Sequence, residues 1–378
     1  MKYPIGIQDF EDLQRNGYAY VDKTNFVYKL ADEGKYYFLS RPRRFGKSLF
    51  LSTLEAYFQG KKELFKGLAI YDLETEWKKY PIFHIDLNTA NFREKDSLYT
   101  VLNDYLTTWE SKYGTRESEA TLALRFKGVI ARAAEKEGCG VVILIDEYDK
   151  PILQTLREPE LQAEHRAQLK AFYSVLKTQD RYIKFAFLTG VTKFGKVSVF
   201  SDLNNLTDIS MDHRYISICG MTEKELLTNF KEGIGELASA NEDNETETID
   251  KLRMRYSGYH FEENSEEIYN PFSVLNTLAN SRYDDYWFKA DTHTFLIDIL
   301  KKHDYCITDL NKTQVKANMM NNVDFNPIPV IYQSGYLTIK SYDERFKNYQ
   351  LGIPNKEVEE GILNTLLPHG CKTAEMDC

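Results

Sequence analysis

Residues 36–48 read Tyr36-Tyr37-Phe38-Leu39-Ser40-Arg41-Pro42-Arg43-Arg44-Phe45-Gly46-Lys47-Ser48, and this stretch decides the fold. The first five residues are a short apolar run with the length of a buried strand. From Lys47 to Phe58, Leu51, Leu54, Tyr57 and Phe58 recur on one helical face. A strand, a tight basic turn and a helix therefore follow in order. Gly46-Lys47-Ser48 at that junction matches the end of the phosphate-loop pattern Gly-x4-Gly-Lys-Ser/Thr. In such a loop, backbone N–H groups at a helix N-terminus hold phosphate, where the helix dipole favours an anion. The lysine reaches the β- and γ-phosphates and the hydroxyl binds Mg²⁺. Arg43, Arg44, Phe45, Gly46, Lys47, Ser48 and Leu49 are the expected nucleotide-binding residues. Arg41 stands where the pattern has its first glycine. Three arginines in four residues crowd like charges unless an anion offsets them. Arg41, Arg43, Arg44 and Lys47 therefore read as a phosphate-seeking patch.

Working outward, Val141-Val142-Ile143-Leu144-Ile145 is apolar on both faces, as a central strand of a helix-covered parallel sheet must be. It runs into Asp146-Glu147. A carboxylate at the end of a buried strand is expected where that end opens on a functional cleft. Asp146, with the Ser48 hydroxyl, is the expected Mg²⁺ ligand, acting mainly through water. Glu147 is the expected residue that orients or polarises the attacking water. Thr189, at the tip of the strand Lys184–Thr189, is expected to hydrogen-bond the γ-phosphate or that water. Catalysis is thus assigned to Glu147, Lys47 and Thr189, with Lys193, Lys196 or Arg214 as the source of transition-state charge, a choice the sequence leaves open.

The remaining pattern is consistent with this reading. Ile82–Leu87 reads as a second strand, helices are expected at about 97–113, 120–136 and 163–177, and Tyr215–Ile218 reads as a fifth strand. Strands alternating with helices mean an α/β layered sheet with right-handed crossovers. Beyond Thr222 the pattern turns helical, at Glu223–Asn229, Thr246–Tyr256 and from Tyr269 to about Ala279. Residues 307–350 are mixed, suggesting a winged helix or a short β element. Three units are expected: 1–221, 222–300 and 301–378.

Composition limits the alternatives. With 48 basic and 57 acidic residues the net charge is −9, which excludes a general nucleic-acid coat. Five scattered cysteines without ligand spacing argue for free thiols in a reducing compartment. The start of the chain lacks a signal-peptide pattern, and the longest aliphatic run, Val141–Ile145, is too short to span a bilayer. A cytoplasmic protein is expected. His84, in an apolar strand, reads as a satisfied core residue, and no histidine falls in a metal-ligand spacing.

Taken together, Tyr20-Val21-Asp22-Lys23-Thr24, Arg41–Ser48, Asp146-Glu147-Tyr148-Asp149-Lys150-Pro151 and Tyr269-Asn270-Pro271-Phe272-Ser273 resemble the bacterial AAA-ATPase-like family. An arginine in place of the first loop glycine is usual in that family. The resemblance implies a P-loop NTPase three-layer sandwich of the additional-strand type, with Walker A at Gly46-Lys47-Ser48 and Walker B at Asp146-Glu147. It also implies a helical lid near 256–278, and ATP and Mg²⁺ as cofactors. Members often carry a PD-(D/E)XK nuclease-like domain after the ATPase. Here the sequence leaves the family pattern after Leu367, no such carboxylate–lysine set follows, and a truncated end is expected. Two functions remain open. One is an ATPase whose hydrolysis drives a conformational change. The other is a non-hydrolysing nucleotide switch or scaffold that regulates a protein partner or a nuclease-like domain. Contact with nucleic acid rests on family analogy alone.

Overall fold

The computed structural model describes residues 1–193, 205–290, 296, 310, 313–320 and 327–366. Lys196, the tail from His369 onward and the expected boundary at 300/301 lie outside the described residues, as do parts of the 307–350 segment.

Helices α1 (Phe10–Arg15) and α2 (Thr24–Glu33) precede strand β1 (Tyr36–Ser40) and helix α3 (Lys47–Phe58). Helix α4 (Ala69–Leu73), strand β2 (Ile82–Asp86), helices α5 (Ser97–Tyr113) and α6 (Leu122–Glu137) and strand β3 (Val141–Asp146) follow. Helices α7 (Lys150–Gln154) and α8 (Pro159–Thr178) lead to strands β4 (Ile183–Gly190) and β5 (Thr207–Asp208). The five strands form one parallel sheet in the order β2-β3-β4-β1-β5. Strand β4 is inserted between the strand that feeds the basic loop and the strand that ends in Asp146, which is the additional-strand arrangement.

The three layers follow from the period of two along each strand. In β1, Tyr36 and Phe38 face one core and Tyr37 and Leu39 the other; in β3, Val141, Ile143 and Ile145 oppose Val142 and Leu144. One face is covered by α5, α6 and α8, which contribute Leu102, Phe126 and Phe172. The other is covered by α2 and α3, which contribute Val27, Leu51 and Leu54. Helix α6 starts where Thr121 accepts a hydrogen bond from Leu124 N–H and ends at Gly138, a left-handed C-cap.

The segment expected as a fifth strand, Tyr215–Ile218, is instead part of a 3-10 turn, His213–Ile218. Its Tyr-Ile-Ser-Ile alternation imitates a strand. However, Asp212 caps it by accepting from Arg214 N–H, and the carbonyls of Tyr215 and Ile216 turn inward to accept from the Arg41 guanidinium. The two residues of β5 take the place beside β1.

Helices α9 (Glu223–Asn229), α10 (Lys231–Ala240), α11 (Glu245–Tyr256) and α12 (Pro271–Asn280) pack around Leu226, Phe230, Leu252 and Val274. The short helix α13 (Tyr286–Lys289) follows. Further on, strands β6 (Gln314–Lys316), β7 (Thr338–Asp343) and β8 (Asn348–Gly352) make a small antiparallel sheet in the order β6-β8-β7. In sequence the Pro327–Gln333 helix lies between β6 and β7, and the Lys356–Leu366 helix follows β8. Ile331, Tyr336 and Leu351 from this region join the same core as α3, so it packs against the basic-loop side of the large sheet. Among the described residues no helix is long and apolar enough to cross a membrane. Cys139 and Cys219 are free thiols.

Candidate functional site

Because β1, β3 and β4 are parallel, their carboxyl ends meet at one edge, where Ser40 pairs with Gly190 and Asp86 with Asp146. The basic loop leaves that edge. Gly46 ends it in the left-handed region (φ 95°) and caps α3 with no side-chain hydrogen bond; a Cβ at that position would meet nothing within 4 Å. Phe45 anchors the loop from beneath, its ring 4.9 Å from Tyr259 and 5.8 Å from Phe261. The first turn of α3 is thus presented as an open, uncapped helix N-terminus, the local structure that favours an anion.

The four basic residues separate. Arg43 and Arg44 are exposed, whereas Arg41 is only 1% exposed. The Arg41 guanidinium donates to the carbonyls of Ser40 (2.9 Å), Ser210 (2.7 Å), Tyr215 (3.3 Å) and Ile216 (3.4 Å) and stacks 4.0 Å from the Phe261 ring. Burial pulls its pKa down to about 10, so it stays charged at neutral pH. The expectation that Arg41 joins a phosphate-seeking patch is corrected: carbonyl dipoles and an aromatic face offset this charge, not an anion. Lys47 is buried, and its ammonium donates to Arg41 O (3.1 Å) and Pro42 O (3.3 Å) and lies 3.4 Å from Glu147 Oε1.

At the end of β3, Asp146 is 4% exposed, and its Oδ1 accepts from Glu147 N–H (3.0 Å) and from the Thr189 hydroxyl. Glu147 itself is held in the left-handed region (φ 51°), a conformation that costs a residue with a Cβ and concentrates at functional sites. Thr189 is fully buried and does not line the cleft described below. Its hydroxyl is a partner of Asp146, not of a group in the cleft. Asp149 accepts from Val191 N–H (3.1 Å), Thr192 N–H (2.6 Å) and the Thr192 hydroxyl (2.7 Å), tying the loop after β3 to the end of β4. Burial, followed by the Glu147 charge, pushes the Asp149 carboxyl up to about 6.

A cleft of about 490 Å³ opens over these groups. Arg43, Arg44, Gly46, Lys47, Ser48, Leu49 and Glu147 all line it, which brings together most of the residues expected from sequence. Asn88 and Lys150 line it too. The Lys150 ammonium donates to Asn88 Oδ1 (2.6 Å) and Asn88 O (2.9 Å), and burial lowers its pKa. Lys193 and Arg214 are not in the cleft: Lys193 pairs with Asp208, and Arg214 with Asp212 at 2.6 Å. A second, smaller pocket of about 90 Å³ adjoins the cleft, shares Gly46 and Leu49 with it, and is lined by Ala19, Val21, Met221 and Phe230. His84 is half-buried at the sheet edge and satisfied by Glu55 Oε2 at 2.7 Å; burial, the largest influence, lowers its pKa, but the Glu55 bond together with the charges of Glu55, Asp146 and Asp86 leaves it raised.

This strand–loop–helix cradle beside an acidic strand end agrees with the sequence comparisons. The sequence model named Predicted AAA-ATPase matches residues 4–200. The chain belongs to that family. An uncharacterised protein from the region 5′ of vnfD in Azotobacter chroococcum mcd 1 is 38% identical to it over 372 residues, covering 97% of this chain and 70% of the relative.

In this AAA-ATPase-like chain, sequence reasoning missed three contributors. Asn88 follows β2 with no distinguishing neighbours. Lys150 was visible only as an extension of the acidic loop. Trp287 lines the cleft from 240 residues beyond the basic loop, and no local pattern announces it.

Proposed function

We propose that this chain binds ATP·Mg²⁺ in the cleft above α3 and hydrolyses it to drive a conformational change. The observation that carries this reading is the open N-terminus of α3 at Gly46, flanked by Lys47 and Glu147 within 3.4 Å of each other. An anion-favouring helix end, a lysine and a carboxylate meet at one sheet edge, where phosphoryl transfer needs positioning and charge more than covalent chemistry.

The residues present suit the metal. Asp146 and Ser48 would offer one carboxylate and one hydroxyl; of the two Ser48 lines the cleft and Asp146 does not, so Asp146 would act through water, and among the described residues no group of three or more His, Cys, Asp or Glu side chains is placed to hold a metal alone. That is the donor set of an ion that arrives on phosphate and keeps its waters. When bound, Mg²⁺ would neutralise phosphate charge. The chain's own groups divide the remaining work. Main-chain N–H groups at Gly46 to Leu49 would hold phosphate oxygens. Lys47 would exchange its carbonyl partners for them, and Arg43, Arg44 and Lys150 would add charge at the rim. Glu147 would orient the attacking water, with Asp146 held in place by Thr189. The adjoining apolar pocket, lined by Ala19, Val21, Met221 and Phe230, would suit a planar base.

Calorimetry with ATP·Mg²⁺ on the chain and on its Lys47→Ala variant tests this. Binding by the chain that disappears in the variant is the expected result. Equal binding by both would place the nucleotide elsewhere. A second reading, binding without turnover, is favoured by the ion pair itself, because Glu147 must release Lys47 before it can act on water.

A further inference from the structure

Tyr269-Asn270-Pro271-Phe272-Ser273 has no role in the chemistry above, yet it reaches the basic loop by two routes. Locally, Asn270 caps α12: its Oδ1 accepts from Phe272 N–H (3.0 Å) and Ser273 N–H (3.3 Å), and Pro271 occupies the first turn. The cap fixes the directions of the next two side chains. Phe272 meets the Arg44 guanidinium, whose centre lies 4.8 Å from the ring centroid, a cation–π contact. The Ser273 hydroxyl lies within hydrogen-bond distance of both oxygens of Glu357, 2.9 Å from Oε1 and 2.8 Å from Oε2.

Glu357 continues the second route. It is fully buried, and its Oε1 also accepts from the Trp287 backbone N–H at 2.8 Å. The Trp287 indole N–H in turn donates to the Arg43 carbonyl at 3.0 Å. Tyr336 packs 5.5 Å from the Trp287 ring. Gly335 lies against both partners, and a Cβ there would come within 2.8 Å of Pro42 and 3.5 Å of Trp287. Two consecutive loop residues are therefore gripped by side chains more than 200 positions away in sequence, one by its guanidinium and one by its carbonyl.

We infer that Phe272 and Trp287 are positioning residues for the phosphate loop, holding Arg44 and Arg43, with Glu357 as the buried post that fixes Trp287. The inference builds on the nucleotide reading of the cleft. A loop with a left-handed arginine (Arg44, φ 65°) keeps its shape only when its surroundings impose it. The grip supplies that restraint and lowers the ordering cost of binding. Phosphate in the cleft competes with Phe272 for the Arg44 guanidinium, so ligand and α12 are linked through one side chain.

Backbone hydrogen exchange across residues 43–49 of the nucleotide-free full chain tests the grip directly. Trp287→Phe keeps an aromatic ring and removes the indole donor. Phe272→Leu keeps an apolar side chain and removes the π face. Each is expected to speed exchange in that segment by about tenfold while α6 is unchanged. Each is also expected to weaken ATP·Mg²⁺ binding by about three- to tenfold. Glu357→Gln, which keeps its acceptor oxygen, should behave nearly as wild type, whereas Glu357→Ala should match Trp287→Phe. Unchanged loop exchange in both aromatic variants overturns the inference, whether or not nucleotide binds. Binding that survives Lys47→Ala would instead overturn the cleft assignment and leave the exchange result to decide the grip.

Discussion

The Lys47 ammonium stands 3.4 Å from Glu147 Oε1, so the two groups expected to act on the γ-phosphate and on water are paired with each other. Lys47 is almost wholly buried and Glu147 is held at a positive φ. An arriving triphosphate gives the lysine a more highly charged partner and frees the carboxylate. Glu147→Gln is therefore expected to bind ATP·Mg²⁺ within about threefold of wild type and to lose turnover by at least about a hundredfold. A phosphate-release assay beside calorimetry checks this, and unchanged turnover would remove Glu147 from the chemistry.

Thr189 spends its hydroxyl on Asp146 Oδ1 inside the protein. Thr189→Val preserves shape and deletes the donor, leaving a buried carboxylate short of one hydrogen bond. A loss of about 1.5–3 kcal/mol in denaturant unfolding is expected, with slower turnover and near-normal binding. Thr189→Ser should restore both. A stability loss with unimpaired turnover would confine Thr189 to folding.

Arg41→Gly would create the glycine of the general phosphate-loop pattern. The structure predicts that it harms the protein. The carbonyls of Ser40, Ser210, Tyr215 and Ile216 would lose a common donor. More than about 3 kcal/mol of stability should disappear, with no gain in nucleotide affinity. Thermal unfolding of the variant decides the point; a melting temperature at or above wild type would refute the buried role.

Lys150 is one of the cations lining the cleft, and Asn88 holds it in place. Lys150→Met keeps the aliphatic stem. It is expected to weaken triphosphate binding by about tenfold and diphosphate binding by less, if the ammonium lies toward the terminal phosphate. Equal losses for the two nucleotides would assign Lys150 to holding Asn88 instead.

Glu357 gives a pH dependence with a definite sign. Burial pushes its carboxyl up to about 8 from an ordinary value of 4.5; the Ser273 and Trp287 donors and Arg255 oppose the shift, and Asp285 reinforces it. Between about pH 4.5 and 8 the folded chain holds a proton that the unfolded chain has released. The Glu357 contribution to stability therefore falls as pH rises through that window and levels off above it, by up to about 5 kcal/mol. Unfolding free energies of wild type and Glu357→Gln across that range measure it, and the variant should show the shallower decline. Parallel curves would mean that Glu357 is ionised in the fold.

Much of the frame was legible before the fold was known. The run 36–40, the apolar strand 141–145 and the glycine before Lys47 announce themselves through period, length and composition, all local properties. Tyr215–Ile218 was misread because four alternating residues satisfy a strand and a capped turn equally well. The deciding fact, a guanidinium at Arg41 demanding carbonyls, comes from far away in the chain.

By itself, then, the sequence determined the parallel sheet's central strands, the strand–turn–helix junction at Gly46-Lys47-Ser48 and the acidic end at Asp146-Glu147. Each of these is encoded within a dozen residues by side-chain period and turn chemistry. Only the tertiary structure decided that Arg41 points inward, that Thr189 serves Asp146, and that Phe272 and Trp287 grip the loop. Those outcomes depend on which donor meets which acceptor after segments up to 244 positions apart are packed together. Burial makes an unmet partner costly, and no local pattern records that choice.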